Sequence, residues 1–106
     1  MVSVRENRAE VVITAAGERQ PGPAEGWVTC PVVVEQSLAI EGQANLLADA
    51  PGRTMTALLP SNAARLLPSR GRWRVHAELV HPGVLRVTND PAHLEQAEPR
   101  DADPAP

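Results

Sequence analysis

Along the chain, apolar residues recur at alternate positions in short runs, and turn-forming residues separate the runs. Residues 10–15, Glu-Val-Val-Ile-Thr-Ala, read as a strand because branched Cβ atoms favour a pleated surface. A shorter strand is expected at 2–5. The stretch 19–26 holds two prolines and two glycines and reads as a loop. Residues 27–36 are apolar and β-rich, with Pro31 in the middle. A proline donates nothing to a ladder, so this run is expected at a sheet edge, at a bulge, or as two short strands. Residues 37–43 continue in the same style, with Leu38 and Ile40 on one face. Residues 53–59 place Met55, Ala57 and Leu59 on one face of a further strand. Residues 61–67 form the one clear helix, with Ser61 or Asn62 as its cap and Pro68 as its stop. A helical turn fits 92–97, and the polar Pro/Asp/Ala residues 98–106 read as a disordered tail. The expected fold is mainly β: a small antiparallel β-sandwich or barrel of six to seven strands with one short helix, in a single domain over 1–97.

Residues 72–89 set the strongest constraint. Trp73, Val75, Ala77 and Leu79 share one face of a strand; Arg72, Arg74, His76 and Glu78 share the other. A strict two-residue turn at Pro82-Gly83 would set Leu79 opposite Arg86 and put charge on the core face. A three-residue loop, His81-Pro82-Gly83, sets Leu79 opposite Leu85 and Ala77 opposite Val87. On the wet face it sets Glu78 opposite Arg86, His76 opposite Thr88, and Arg74 opposite Asp90, with Gly83 available for a bulge. Two of the arginines then have acidic neighbours, while Arg70 and Arg72 stay unpaired beside Arg65.

Composition narrows the picture. Apolar residues make up 42% of the 106, but aromatics only 2%, so the core is built from Val, Leu, Ile and Ala with Trp73 directed inward. A domain this small buries a modest fraction of its surface, which makes self-association, as a homodimer for example, one route to further burial. All ten cations are arginine, which suggests coding bias in a GC-rich bacterial genome. A net charge of −3 argues against wholesale nucleic-acid or membrane binding. The single Cys30, with no stretch resembling a signal peptide or a membrane span, points to a reducing, cytoplasmic setting.

Chemistry-bearing residues are sparse. Cys30 has no histidine near it in sequence to activate it and reads as a small buried hydrophobe. His76, His81 and His93 lack the spacing of a metal-ligand motif, so no metal or other cofactor is expected. There is no Gly-rich phosphate loop, nucleophile elbow or catalytic signature. No catalytic residue is assigned. Trp27, opening its strand after a Gly-rich loop, is an expected contact residue together with Arg65, Arg70, Arg72 and Arg74. Glu35 and His76 are the polar residues expected of a pocket between the sheets, should the chain be a ligand-binding barrel or small enzyme.

The stretch 66–80, Leu-Leu-Pro-Ser-Arg-Gly-Arg-Trp-Arg-Val-His-Ala-Glu-Leu-Val, resembles a strand entry of small bacterial β-sandwich proteins similar to competence protein J, a nuclease inhibitor. There a leucine-proline-glycine turn leads into an alternating aromatic, Arg and Val strand; here Ser69-Arg70 is inserted between Pro68 and Gly71. The resemblance implies a β-sandwich and an inhibitor role in which an acidic protein caps a basic enzyme. From the residues alone the first expectation is a non-enzymatic interaction or accessory protein presenting a sheet face or edge to a protein partner. A ligand-binding barrel or enzyme is the second. A single-strand nucleic-acid binder using the arginine patch is the third.

Overall fold

The structure is a computed structural model, and it describes residues 7–68 and 70–97. The strand expected at 2–5 and the tail expected at 98–106 lie outside the described residues. In chain order the elements are β1 (Ala9–Ala15), β2 (Gln20–Pro21), β3 (Trp27–Ala39), β4 (Thr54–Pro60), α1 (Ser61–Leu66), β5 (Arg72–His81), β6 (Val84–Val87), a 3₁₀ turn (Pro91–His93) and β7 (Leu94–Gln96).

Five strands close a ring in the order β1, β3, β4, β6, β5 and back to β1. Every pairing is antiparallel except β4 with β6. The fold is therefore a closed five-stranded barrel with two short added strands, β2 on β3 and β7 on β5. The ring has one parallel closure, and the helix lies between its third and fourth strands in chain order. The resemblance at 66–80 implied a sandwich; β1 with β5 and β4 with β6 instead seal both sides of the sheet.

Alternation fills the interior. Ala9, Val11 and Ile13 of β1 point inward, as do Cys30, Val32 and Val34 of β3 and Met55, Ala57 and Leu59 of β4. Trp73, Val75 and Ala77 of β5 and Leu85 and Val87 of β6 complete the set. Trp73 is the largest fully buried side chain, and no polar or charged residue is buried among the described residues. Ala63 and Ala64 of α1 join the same core.

The hairpin register follows the charge argument. Ala77 pairs with Val87, Glu78 with Arg86 and Leu79 with Leu85. Beyond Leu79 the ladder slips by one, so that His81 pairs with Val84 across Pro82-Gly83. The expected three-residue loop is therefore a two-residue turn, Pro82-Gly83, and the extra residue that keeps Leu85 inward is Val80 and not Gly83. Gly83 takes φ +81°, the left-handed region that a side chain disfavours.

Three local expectations change. First, β3 is not an edge: it runs unbroken for 13 residues with β1 and β2 on one side and β4 on the other. Pro31 is tolerated because it sits where β1 departs, after Ala15 pairs with Val32, and before β2 begins at Gln20 with Thr29. The Pro31 carbonyl on that side accepts from the Ala16 N–H at 2.7 Å, so the missing N–H faces the gap. Second, neither Ser61 nor Asn62 caps α1. Pro60 holds the cap position with no side-chain hydrogen bond, and the Ser61 N–H donates to the Gly26 carbonyl at 2.9 Å. Third, residues 92–97 are divided between the 3₁₀ turn and β7.

The gap at Pro31 also fixes Gly17. A Cβ there would lie 2.6 Å from the Pro31 Cγ, and a proline ring has little freedom to yield. Gly17→Ala is expected to cost about 1–3 kcal/mol by overpacking, read as a lower urea midpoint at unchanged slope.

Candidate functional site

Of the four arginines expected to make contacts, Arg72 and Arg74 are neutralised. Between β1 and β3 the register steps from Val12–Gln36 to Ile13–Val34, leaving Glu35 as the extra residue of a β-bulge. The bulge aims Glu35 at the barrel exterior, where Arg72 Nε donates to it at 2.6 Å and the Thr14 hydroxyl donates to its other oxygen. Arg72, expected to be unpaired, is therefore held in a partly buried ion pair. Its acid lies 37 residues away in sequence. Arg74 does not use Asp90. It lies between Glu10 of β1 at 3.5 Å and Glu95 of β7 at 3.3 Å. Asp90 instead caps the 3₁₀ turn, accepting from the Ala92 N–H at 3.1 Å. Arg86 pairs with Glu78 as the register requires. Arg65 and Arg70 are exposed and make no ion pair among the described residues.

The proposed pocket pair does not converge. Glu35 is committed to Arg72 and Thr14, while His76, on the outer face of β5, stacks on His93 with ring centroids 3.8 Å apart and planes within 6°. Burial holds the His76 imidazole below its ordinary pKa, His93 and Arg8 add to this, and Glu10 and Asp90 oppose it. A groove of about 670 Å³ is lined by Ala15, Ala16, Gly17, Glu18, Arg19 and Arg70, and neither Glu35 nor His76 is among its lining residues.

Cys30 is wholly buried, and burial pushes its thiol above the ordinary value, with Arg19 opposing. A thiol held in its protonated form is a poor nucleophile. Among the described residues no three His, Cys, Asp or Glu side chains are grouped to hold a metal ion.

A further candidate surface is the outer face of β3 and β4. Trp27, Thr29, Pro31 and Val33 alternate with the inward set on β3, and Thr54, Thr56 and Leu58 do so on β4. The register pairs Thr29 with Leu58, Pro31 with Thr56 and Val33 with Thr54, and Thr56 pairs onward with Val84 of β6. These outward positions form one continuous uncharged face in a chain whose charged residues total 22%. Trp27 is half-buried at its end, and the exposed Glu25 precedes it by two residues in the chain. The signal was present in the alternation of Thr-Met-Thr-Ala-Leu-Leu, but the outward set gains meaning only when β3 and β4 are known to be neighbours.

No protein-family profile, no curated protein and no solved structure matches the chain.

Proposed function

We propose that this chain is a non-enzymatic interaction protein that meets a protein partner through the outer face of β3 and β4. The observation that supports the reading is the charge-free band Thr29, Pro31, Val33, Thr54, Thr56 and Leu58 with Trp27 at its end. Cores of protein interfaces are depleted in charge, and tryptophan is among the residues that anchor them. Arg86, which pairs with Leu58 across β4 and β6, borders this band and would serve as a rim contact, while Arg65 and Arg70 stand outside it. Glu25, two residues before Trp27 in the chain, favours a partner with basic residues at its own rim, which fits an inhibitor of a basic protein.

Thr56→Arg tests the reading, because an exposed strand position tolerates the change while a charge at the centre of the face does not suit a desolvated contact. Cross-linked complexes isolated from the native source should be present with the wild-type chain and lost with Thr56→Arg, at equal thermal stability. Retention of every complex by Thr56→Arg would exclude this face. Light scattering on the same pair reports whether the partner is a second copy.

The five-stranded barrel favours one other reading, since OB barrels, also five-stranded, include single-strand nucleic-acid binders. Fold alone does not assign function. The β3–β4 face offers no cation, and its one aromatic, Trp27, is at the margin. A fluorescent oligonucleotide titrated at low salt separates the readings: phosphate binding through Arg65 and Arg70 would weaken steeply as salt rises.

A further inference from the structure

We propose that the 3₁₀ turn and β7 act as a proton-sensitive latch: protonating the stacked His76–His93 pair releases residues 91–97 and opens the edge of β5 at Trp73–Val75.

The latch is small and its attachments can be named. β7 pairs with β5 over three residues, Trp73 with Gln96, Arg74 with Glu95 and Val75 with Leu94. The Ala97 N–H donates to the Arg72 carbonyl at 2.7 Å, and Leu94 and Ala97 are the buried side chains of the segment. β6 occupies the same edge of β5 further along, from Ala77 onward. β7 therefore fills a stretch of β5 that the barrel strands leave open, and its departure would expose unpaired backbone next to Trp73.

The imidazole stack ties this segment to the barrel wall from outside. His76 stands on β5 with its side chain mostly buried, and His93 ends the 3₁₀ turn. Around the pair stand Glu10 and Arg8 from the β1 side, Asp90 from the turn, and Arg74 and Glu78 along β5 itself. His76 Nε2 is 3.8 Å from Glu10, and His93 Nε2 is 3.6 Å from Asp90. Neutral rings stack face to face without charge conflict. Two imidazolium rings at 3.8 Å repel. Glu10 is already shared with Arg74, and Asp90 with the Ala92 N–H, which limits what either carboxylate offers a second cation.

The sign follows from the environment of His76. Burial, His93 and Arg8 hold its folded pKa below the ordinary value, so docking of the latch favours the neutral ring. The stabilisation is complete above the ordinary histidine pKa and is lost as pH falls through it, where the unfastened segment binds the proton more readily.

Hydrogen exchange read at about pH 7.5 and about pH 5.5, corrected for intrinsic rates, tests the latch within the range where histidine titrates. The expected result is severalfold faster exchange at the lower pH for residues 73–75 and 94–97, with β3 and β4 equally protected at both. His93→Phe keeps a flat ring but removes the facing cation and should diminish the acid response, and His76→Phe should abolish it; His93→Ala should leave the segment open at both pH values. Trp73 fluorescence in a Trp27→Phe background gives a second readout, shifting to the red as the edge opens. Equal exchange at the two pH values, an acid response undiminished in His93→Phe or persisting in His76→Phe, or simultaneous loss of protection in β3 and β4 would overturn the proposal.

Discussion

Trp73→Ala is expected to lower the stability of the domain by about 3–5 kcal/mol, the range for truncating a buried tryptophan. Domains of this size are stable by only about 5–15 kcal/mol, so the variant should unfold near physiological temperature. The reason is specific to this core. Trp73 is the largest buried side chain in an interior otherwise made of Val, Leu, Ile, Ala, one Met and one Cys, and no other aromatic can shift into its place. Its indole N–H is buried without a hydrogen-bond partner. Trp73→Phe loses less, since it keeps most of the ring volume and removes an unsatisfied donor. Urea unfolding monitored by far-UV circular dichroism checks the order: Ala far below Phe, Phe modestly below wild type.

Arg19→Ala should be the second most damaging single change, at about 2–3 kcal/mol for the loss of a charged donor set. Arg19 reaches from the connection between β1 and β2 to the C-terminal end of α1. One of its terminal nitrogens donates to the Ala64 carbonyl, and the other donates to those of Leu67 and Pro68, each at 2.8 Å. The Ala64 carbonyl is left over in the last turn of a helix of only six residues, those of Leu67 and Pro68 follow it, and the guanidinium fork satisfies all three together. The same cation stands 5.4 Å from the Trp73 ring centroid. Arg19→Lys keeps the charge but cannot serve three acceptors in fixed directions, so it should recover less than half of the loss. A double-mutant cycle with Trp73→Phe should return a non-zero coupling energy, because the two residues are in contact.

The sequence made some of this legible. The hairpin register could be read because a single slip would have placed Arg86 in the core; the bulge at Val80, which lets a two-residue turn coexist with that register, could not. The inward direction of Trp73 followed from the same alternation. What could not be read depended on neighbours distant in the chain. Pro31 looked like a mark of an edge, because a proline states that one N–H is missing and not which side of the strand needs it. Arg72 looked free because its partner Glu35 is brought to it only by a bulge between β1 and β3. Glu95 and Glu10 take Arg74 from Asp90 because β1 and β7 both lie alongside β5. The candidate face was hidden for the same reason, since half of it comes from β3 and half from β4.

The parallel pairing of β4 with β6 has a consequence for how the chain reaches this structure. The ring cannot close until residues 84–87 are available to lie beside Thr56–Leu58, and β5 must meanwhile find β1 across most of the sequence. A growing chain on the ribosome would hold β1, β3 and β4 as a sheet with an open flank, its apolar side unsealed, until nearly the whole domain had emerged. Such non-local closure places folding on the order of milliseconds to seconds, in the slow part of the range for small domains. The turn at Pro82-Gly83, by bringing β6 back along β5 as a ready-made hairpin, shortens that interval by delivering two strands to the open flank in one step.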